Sequence, residues 1–506
     1  MAHLDARGMI AAVLDPDSFV PWDEPPTLEG LSPQYAAALE QAARRSGADE
    51  AVVTGEGTVL GHPVAVVVGE FGFLAGSIGV AAAERIVRAF TRATERGLPM
   101  LAAPASGGTR MQEGTRAFVQ MVTVTDAVQR HKDAKLPYFV YLRHPTTGGV
   151  FASWGSMGHV TVAEPGAMIG FLGPRVYEAL HGEPFARGVQ TAENLHRHGV
   201  IDAVVAPAHV RRRVATLLDI VAKPSGSAAL QSQRSPAAAP SAVDDWEIVR
   251  RSRLASRAGL RTLLRRGSSA TIPLSGSGRG DADPTLSLSL ASFGGRGVVV
   301  LGQDRRSQSG DVALGPKALR VAGRGIRLAH ELGMPIVAVI DTPGAALTKD
   351  AEEGGLAPEI GRTMAALIGA RVPVVSVLLG QGTGGGAIAL LPADRVIATE
   401  NSWLAPLPPE GASAIVHRST AHAADIAREQ RIASWHLLED GIVDEVVPEP
   451  DDSPSEVCDR VAEAIVRALR ALESVPLADL LADRGTRFAA TSACRRNDRD
   501  AVSPRP

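Results

Sequence analysis

The feature that most constrains the fold of this 506-residue chain is an internal duplication. Gly97-Leu98-Pro99 recurs as Gly333-Met334-Pro335, and 333 − 97 = 236. Three further anchors keep the offset of 236 residues, and a later pair has drifted to 242. A domain-sized period of this kind indicates two similar domains and excludes a solenoid of short repeats. The further anchors are Leu136-Pro137 with Val372-Pro373, Thr147-Gly148-Gly149 with Thr383-Gly384-Gly385, Glu164 with Glu400, and the drifted Gly199-Val200-Ile201-Asp202 with Gly441-Ile442-Val443-Asp444.

Each copy alternates short apolar strands with amphipathic helices. The pattern predicts helices over Ala82 to Glu95 and Lys317 to Glu331, and a strand over Ile336 to Ile340. Strands that alternate with helices of this length are typical of an α/β fold. The sequence therefore predicts two α/β domains.

Composition places the domain boundaries. We expect an N-terminal extension over 1–45, a first domain over 46–222, a linker over 223–245 and a second domain over 246–475. The linker is rich in Ala, Ser, Pro and Gln and has no apolar period. The Gly/Ser-rich stretch Gly267 to Asp283 is expected to form an exposed loop. The polar tail over 476–506 is expected to be disordered.

Charge and cysteine content exclude several classes of protein. The 52 basic and 55 acidic residues give a net charge of −3, which offers no electrostatic case for nucleic-acid or anionic-membrane partners. The two cysteines, Cys458 and Cys494, rule out a disulfide framework and a four-cysteine zinc site. Neither a signal peptide nor an apolar run of transmembrane length is evident, so we expect a cytoplasmic protein.

The duplicated glycine clusters are candidate oxyanion sites. Gly148-Gly149 and Gly384-Gly385-Gly386 each follow a strand and precede a run of small residues. Glycines at such a turn let backbone N–H groups approach a ligand closely, and these groups can bind an oxyanion. Two such sites suit a reaction in which negative charge develops on two oxygens. Close packing of a helix on a strand is the alternative explanation of these glycines.

A second glycine pattern suggests a different ligand. Gly380, Gly382 and Gly385 match the G-x-G-x-x-G pattern of dinucleotide-binding proteins, and Glu400 lies at the distance of a ribose-binding acid. The first copy lacks this spacing, however, and the cluster falls late in its domain. Dinucleotide binding is therefore the weaker interpretation.

Several motifs resemble those of one enzyme family. The run Ser106-Gly107-Gly108-Thr109-Arg110-Met111-Gln112-Glu113 resembles the Ser-Gly-Gly-Ala-Arg-Met-Gln-Glu signature of the bacterial acetyl-CoA carboxylase carboxyltransferase β subunit. The second half resembles the α subunit of the same enzyme. The further matching segments, in chain order, are Pro145 to Val150, Ala163-Glu164-Pro165, Ile169 to Val176, Ile340 to Ala345, Ala351-Glu352-Glu353, Gly384 to Ala387 and Pro409 to Ala412.

The resemblance covers about residues 50–210 and 246–450. It implies a β–α fusion with two crotonase-like (ClpP/crotonase) domains in tandem, each a β-β-α superhelix. The β-subunit-like domain would occupy 46–222, and the α-subunit-like domain would occupy 246–475. This agrees with the duplication seen in the sequence itself.

The family's chemistry implies a biotin-dependent acyl-CoA carboxyltransferase, with acetyl-CoA carboxylated to malonyl-CoA. Carboxybiotin on a separate carrier would release CO2, the ureido anion would take a proton from the acyl-CoA α-carbon, and the enolate would capture CO2. The resemblance implies that Gly148 and Gly149 bind the thioester oxygen. It likewise implies that Gly385, Gly386 and Ala387 bind the biotin ureido oxygen.

The same resemblance implies the residues that bind coenzyme A and the partners of the chain. For Arg110 and Arg175 a structural salt bridge is an equally open alternative. The partners would be a biotin carboxyl carrier protein, a biotin carboxylase subunit and further copies of this chain, in a homodimer or larger assembly. None of the five lysines lies in a Met-Lys-Met context where biotin would be attached. The implied coenzyme A-binding residues are Gly107, Gly108, Arg110, Gly173, Pro174, Arg175, Pro343 and Gly344.

The chain departs from the family pattern in three places. It has no cysteine before Cys458, so the zinc ribbon that usually opens the β subunit is missing and no zinc is expected. The loops Ala346 to Asp350 and Pro406-Leu407-Pro408 differ from the usual segments. Because these loops lie where biotin or the acyl group would sit, the acyl preference stays open. Two alternatives also stay open: the decarboxylase component of a malonate decarboxylase, and a catalytically silent scaffold that binds coenzyme A.

Overall fold

The computed structural model describes residues 3–26, 31–173, 177–178, 181–222, 243–309, 312–449 and 453–489. The chain divides into two compact units. Unit 1 comprises Met1–Asp219 with Leu274–Gly280, and unit 2 comprises Ile220–Pro273 with Asp281–Pro506. The predicted linker lies outside the described residues, apart from its last three positions.

Unit 1 is built on a mixed sheet. Its strands are β1 (Val20–Pro21), β2 (Val52–Val59), β3 (His62–Gly69), β4 (Met100–Ala103), β5 (Tyr138–Leu142), β6 (Thr146–Thr147), β7 (Val160–Ala163), β8 (Ile169–Gly170) and β9 (Ala203–Val204). Within the described residues the main sheet has the order β1-β2-β3-β4-β5-β7-β9, and β6 pairs with β8 apart from it. The first three strands are antiparallel, whereas the later neighbours are parallel. The helices are Ala6–Val13, Pro33–Ser46, Leu74–Gly76, Val80–Glu95, Met111–Glu113, Gly114–Asp133, Ala192–Arg197 and Pro207–Val221, which runs into unit 2.

Unit 2 repeats this plan. Its strands are β10 (Ala270–Leu274), β11 (Leu286–Phe293), β12 (Arg296–Gln303), β13 (Ile336–Thr342), β14 (Val374–Thr383), β15 (Arg395–Thr399), β16 (Trp403–Ala405) and β17 (Glu445–Val447). Across the described part of the chain the sheet runs β10-β11-β12-β13-β14-β15-β17, and β16 pairs with the end of β14. Its helices are Asp245–Ser252, Leu260–Gly267, Arg305–Ser307, Pro316–Leu332, Lys349–Glu353, Leu356–Ile368, Gly384–Ile388, Pro409–His417, Thr420–His422, Ala423–Glu429, Ser434–Glu439, Pro454–Glu473 and Leu477–Thr486.

The two units share one topology. In each, an antiparallel hairpin (β2–β3 or β11–β12) is followed by parallel strands in the same order. Both hairpins turn over two residues with positive φ, Leu60 and Gly61 in unit 1 and Gly294 and Gly295 in unit 2. Two-residue turns of this kind match the right-handed twist of the strands. The offset anchors of the sequence therefore correspond to equivalent positions in two copies of one fold.

The predicted helices lie close to their expected bounds, at Val80–Glu95 and Pro316–Leu332. The left-handed Gly333 (φ +66°) ends the second of these helices, and Gly97 (φ +65°) follows the first. Each helix buries an apolar face against its own sheet, so each unit has its own core. Phe90, for example, is 0% exposed in the core of unit 1.

Two expectations about irregular segments are wrong. The predicted exposed loop Gly267 to Asp283 contains strand β10, in which Ile272 and Leu274 are buried. The predicted disordered tail begins with the helix Leu477–Thr486, while residues 490–506 lie outside the described residues. Burial of Leu480 and Arg484 holds this helix against unit 2, which the polar composition of the tail did not reveal.

Candidate active site

Two backbone turns lie side by side in unit 1. Ser106 follows β4, its N–H donates to Pro145 (2.7 Å), and its carbonyl accepts the N–H of Thr147 (2.9 Å). A Cβ atom on Gly148 would lie 3.4 Å from the Cα atom of Gly108. The missing side chains let the two turns approach this closely, so the predicted Gly107-Gly108 and Gly148-Gly149 pairs belong to one site.

The hydrogen bonds of these turns determine which N–H groups can face a ligand. The Gly148 N–H donates to the carbonyls of Gly170 (3.1 Å) and Phe171 (3.2 Å), so it is already used. Among the described residues, the N–H groups of Gly149 and Thr109 have no hydrogen-bond partner. A Cβ atom on Gly149 would lie 3.1 Å from the Thr109 hydroxyl oxygen, so the two residues are neighbours. The turn can thus offer Gly149, and beside it Thr109, to an oxyanion.

The N–H groups of Gly107 and Gly108 are also used inside unit 1. Gly107 donates to the carbonyl of Ala75 (2.9 Å), and Gly108 donates to the hydroxyl of Ser106 (3.0 Å). Their predicted role in binding coenzyme A through the backbone N–H is therefore not supported. What they contribute is the close approach of the two turns.

The equivalent turn of unit 2 is the short helix Gly384–Ile388, which follows β14. Gly384 has φ +60°, a conformation that favours glycine. The first N–H groups of an α-helix have no partner within the helix, which leaves Gly385 and Gly386 as donors. Ala387 is the fourth helical residue, and by the i to i−4 rule its N–H reaches the carbonyl of Thr383. Of the three predicted donors, Gly385 and Gly386 therefore fit the role and Ala387 does not.

Pro343 and Gly344 lie next to this turn. The Gly344 N–H donates to the Thr342 hydroxyl (3.2 Å), and Gly344 has φ +141°. A Cβ atom on Gly386 would lie 3.5 Å from Thr342 Cγ2 and 3.6 Å from the backbone nitrogen of Ala345. The loop after β13 and the turn after β14 thus form one surface, as the predicted site requires.

A buried polar group that sequence reasoning missed supports this surface. Gln303, at the end of β12, is 0% exposed; its Nε2 donates to the Gly386 carbonyl (2.7 Å) and its Oε1 accepts the Asp341 N–H (3.0 Å). The signal in the sequence is a glutamine that ends the apolar run Val298 to Leu301.

The Asp341 carboxyl is buried beneath the same turn. Its Oδ1 accepts the N–H of Gln381 (3.1 Å), and the guanidinium Nε of Arg305 lies 3.9 Å from Oδ2. Burial raises the pKa of the Asp341 carboxyl, against the attraction of nearby arginines. This group lies inside the unit and supports the loop rather than facing a ligand.

Arg110 does not reach a ligand. Its side chain is 1% exposed and pairs with Glu50, with 2.6 Å between Nη1 and Oε1. It also donates to the carbonyl of Ser77 (2.7 Å) and approaches the hydroxyl of Tyr35 (3.3 Å). The structural salt bridge, the alternative left open by the sequence, is what the structure contains, and no donor of Arg110 remains for a coenzyme A phosphate.

The other predicted coenzyme A contacts are less fully described. Gly173 lies in a partly exposed loop after β8, and its carbonyl accepts the N–H of Tyr177 (3.1 Å). Pro174 and Arg175 lie outside the described residues. The role of this loop therefore stays a prediction.

The two divergent loops flank the glycine turn of unit 2. A Cβ atom on Gly384 would lie 3.1 Å from the Pro406 carbonyl oxygen, so Pro406-Leu407-Pro408 runs beside the turn. The loop Ala346 to Asp350 continues from Ala345, which contacts Gly386 on the other side. Leu347 is 94% exposed and Leu407 is 40% exposed. Apolar side chains are thus presented to solvent on both sides of the turn.

The structure argues against the dinucleotide interpretation. Gly380 and Gly382 lie inside strand β14 and do not form a loop at its end. A Cβ atom on Gly382 would lie 2.7 Å from the Trp403 carbonyl oxygen, which explains the glycine by strand packing. The Glu400 carboxylate accepts the N–H of Glu449 (3.0 Å), so it is not free to bind a ribose.

Two searches of the described residues return nothing. No helix described is both long enough and apolar enough to cross a membrane. Nowhere in the described ranges do three His, Cys, Asp or Glu side chains gather as a metal site would require.

Comparisons with known proteins point to one family. The carboxyl transferase domain model matches residues 3–440. A probable biotin-dependent acyl-coenzyme A carboxylase beta3 subunit of Mycobacterium tuberculosis is 55% identical over 494 residues, covering 96% of this chain and 98% of that protein. The acetyl-coenzyme A carboxylase carboxyl transferase subunits beta/alpha of Salinispora arenicola are 37% identical over 519 residues, covering 98% of this chain and 92% of that protein.

A solved structure gives the fold. The transcarboxylase 12S hexamer, crystallised with methylmalonyl-coenzyme A, superposes with a TM-score of 0.73 over 94% of this chain and 91% of its own, at 20% sequence identity. This confirms the α/β fold with two crotonase-like domains. On the family match and the extent of the curated relatives, the chain belongs to the biotin-dependent carboxyltransferases.

Proposed function

We propose that the chain is the carboxyltransferase subunit of an acyl-CoA carboxylase that converts acetyl-CoA to malonyl-CoA. The observation that carries the proposal is the pair of glycine turns at equivalent positions of two copies of one fold, each with backbone N–H groups that no other group uses. Carboxybiotin on a separate carrier would supply the CO2 and, after its release, the ureido base.

The chain's own part in the reaction is to stabilise charge. The Gly149 N–H would bind the thioester oxygen of the acyl-CoA as its α-carbon loses a proton and an enolate forms. The N–H groups of Gly385 and Gly386 would bind the ureido oxygen. Fixed donors of this kind need no reorganisation when the charge appears, and each is typically worth about 3–4 kcal/mol of barrier. No side chain is required as a base.

The test is to fill each turn with a bulky side chain. Gly149→Val and Gly386→Val should each lower kcat by about a hundredfold or more, because the side chain displaces the bound oxygen from its donor. The measurement is the rate of acetyl-CoA carboxylation with a carboxylated biotin carrier.

Two helical glycines provide the matched control. A Cβ atom on Gly323 or Gly361 would meet no atom within 4 Å, so Gly323→Ala and Gly361→Ala should keep the wild-type rate. Unchanged rates in both Val variants would refute the assignment of the turns. A rate of zero in the wild-type chain, with acyl-CoA still bound, would identify a silent scaffold.

The acyl group is the finer part of the proposal. The exposed side chains of Leu347 and Leu407 flank the unit 2 turn, in the loops that depart from the family pattern. The assay should therefore compare acetyl-CoA, propionyl-CoA and longer acyl-CoAs with the same carrier. A higher kcat/KM for a longer acyl-CoA would overturn acetyl-CoA as the substrate. Decarboxylation of malonyl groups only on an acyl carrier protein would indicate a malonate decarboxylase instead.

The proposal includes partners. A biotin carboxyl carrier protein and a biotin carboxylase subunit would supply carboxybiotin, since none of the five lysines has the context of a biotin attachment site. We also propose that the chain forms a homo-oligomer, since the related transcarboxylase 12S assembles as a hexamer. Exposed apolar residues on the helix Gly114–Asp133, Phe118 and Val122 among them, support self-association.

A further inference from the structure

We propose that Gln303 is a positioning residue for the oxyanion turn of unit 2, an inference that rests on the proposed function of Gly385 and Gly386. Gln303 is 0% exposed, and its amide makes one hydrogen bond at each end. Nε2 donates to the Gly386 carbonyl at 2.7 Å, and Oε1 accepts the Asp341 N–H at 3.0 Å. The amide thereby joins the turn after β14 to the loop after β13.

The Gly386 carbonyl depends on this bond. In a continuing α-helix it would accept the N–H of Leu390, four residues on. Leu390 instead donates to the carbonyl of Ala387 at 3.1 Å, so the helix tightens and releases the Gly386 carbonyl. Without Gln303, this buried carbonyl would lack a partner, and the peptide could rotate to find one.

Such a rotation would move the donors of the site. The Gly386 carbonyl and the Gly386 N–H belong to adjacent peptide units joined at one Cα atom. A glycine has no side chain to restrict either dihedral, so the carbonyl's anchor also fixes the N–H. At its other end Gln303 holds the strand that leads into Thr342, whose Cγ2 would lie 3.5 Å from a Cβ atom on Gly386. One side chain therefore fixes both walls of the turn.

Unit 1 has no equivalent group. The two hairpins are offset by 234 residues, because Arg296 opens β12 and His62 opens β3 and 296 − 62 = 234. Gln303 therefore corresponds to Gly69, where a Cβ atom would lie 2.6 Å from the backbone nitrogen of Ala105. In unit 1 the turn is held locally, by the Ser153 hydroxyl on the Gly149 carbonyl at 2.6 Å. Loss of Gln303 should thus impair the turn of unit 2 and spare that of unit 1.

The experiment compares Gln303→Met, which keeps the length of the side chain but removes both hydrogen bonds, with Gln303→Glu. The assay runs the transfer from malonyl-CoA to free biotin, which yields acetyl-CoA and carboxybiotin. Gln303→Met should lower kcat/KM for biotin by about tenfold to a hundredfold, as expected when an interaction made in the transition state is lost. The Kd of acetyl-CoA, measured by calorimetry, should stay within about twofold of wild type, because unit 1 keeps its turn.

The pH profile separates positioning from folding. The protonated carboxyl of Gln303→Glu can donate to Gly386 while its second oxygen accepts from Asp341, whereas the ionised form cannot donate. Its relative activity should therefore rise as the pH falls, and that of Gln303→Met should not. Thermal unfolding over the same pH range shows whether stability follows the same course.

Ser376→Ala is the matched control. Ser376 is also buried in unit 2, and its hydroxyl donates to the Leu390 carbonyl at 2.7 Å, one turn beyond Gly386. This variant should keep the wild-type kcat/KM for biotin. A normal value in Gln303→Met, an equal loss in Ser376→Ala, or a Gln303→Glu profile that only follows unfolding would each overturn the role of Gln303. If Gly386→Val is also fully active, the proposed function of the turn fails; if Gly386→Val is inactive, the role of Gln303 fails alone.

Discussion

At the scale of single residues, a buried imidazole makes unit 1 sensitive to acid. His131 is 0% exposed, and its ring lies 2.9 Å from the Thr94 hydroxyl and 3.3 Å from the Pro137 carbonyl. Burial lowers the pKa of His131 from 6.5 to about 4. The unfolded chain therefore takes up a proton at a pH where the folded chain does not. The stability that depends on a neutral His131 is present above pH 6.5 and is lost as the pH falls toward 4.

The first prediction follows from this difference. Between pH 7 and pH 5, His131 should reduce the free energy of unfolding of unit 1 by about 2 kcal/mol. His131→Gln, which does not titrate, should flatten the pH dependence by that amount, as measured by urea unfolding at both pH values. His198→Gln, at an exposed position of the same unit, is the control. An unchanged slope in His131→Gln would contradict the argument.

The candidate site shows what single residues reveal in advance. The positions of Gly149, Gly385 and Gly386 could be read from the sequence, because a turn that approaches a ligand needs glycine. Which of these N–H groups is free could not be read, since it depends on partners such as Gly170 and Phe171, which pair with Gly148 only after folding. Arg110 shows the same limit, because its partner Glu50 is sixty residues away.

At the scale of elements, the helix Leu477–Thr486 depends on one buried ion pair. Arg484 and Asp394 have side chains 0% and 3% exposed, with 2.7 Å between Nη2 and Oδ2. Arg484 also donates to the carbonyls of Leu367, Ala370 and Val372. A polar composition suggested disorder here, because the sequence does not show that an arginine will be buried.

This pairing predicts a large loss of stability in Arg484→Ala. Removing one partner of a buried pair leaves the other charge without compensation, which typically costs about 3–5 kcal/mol. The measurement is urea unfolding of the full chain. Arg266→Ala removes the exposed pair with Asp459, whose side chains are 50% and 40% exposed, and should cost no more than about 1 kcal/mol. Equal losses in the two variants would show that the helix does not depend on Arg484.

At the scale of the whole molecule, the duplication was the most informative part of the sequence. A constant offset of 236 residues requires equivalent segments to occupy equivalent places, and the order of the strands in the two sheets agrees. The sequence could not show how the copies had diverged. Gln303 in one unit corresponds to Gly69 in the other, so two copies of one fold hold their turns by different bonds.

The last prediction concerns the proposed assembly. The helix Gly114–Asp133 exposes Phe118 (64%) and Val122 (73%) one turn apart, and Met111 before it is 81% exposed. Contiguous exposed apolar side chains of this kind mark an interaction surface. Wild-type chain should therefore sediment as a dimer or larger species, and the double variant Phe118→Asp with Val122→Asp should shift it to a smaller one. Because both side chains are exposed, far-UV circular dichroism should not change.

A single added charge elsewhere on that helix is the control for this effect. Gln129 is exposed about two turns beyond Val122, so Gln129→Glu adds a negative charge without removing apolar surface. It should sediment like the wild type at the same protein concentration. If the double variant also sediments like the wild type, this surface is not where copies of the chain meet. If the wild type is a fully active monomer, the proposed self-association itself is wrong, since activity would then need no second copy.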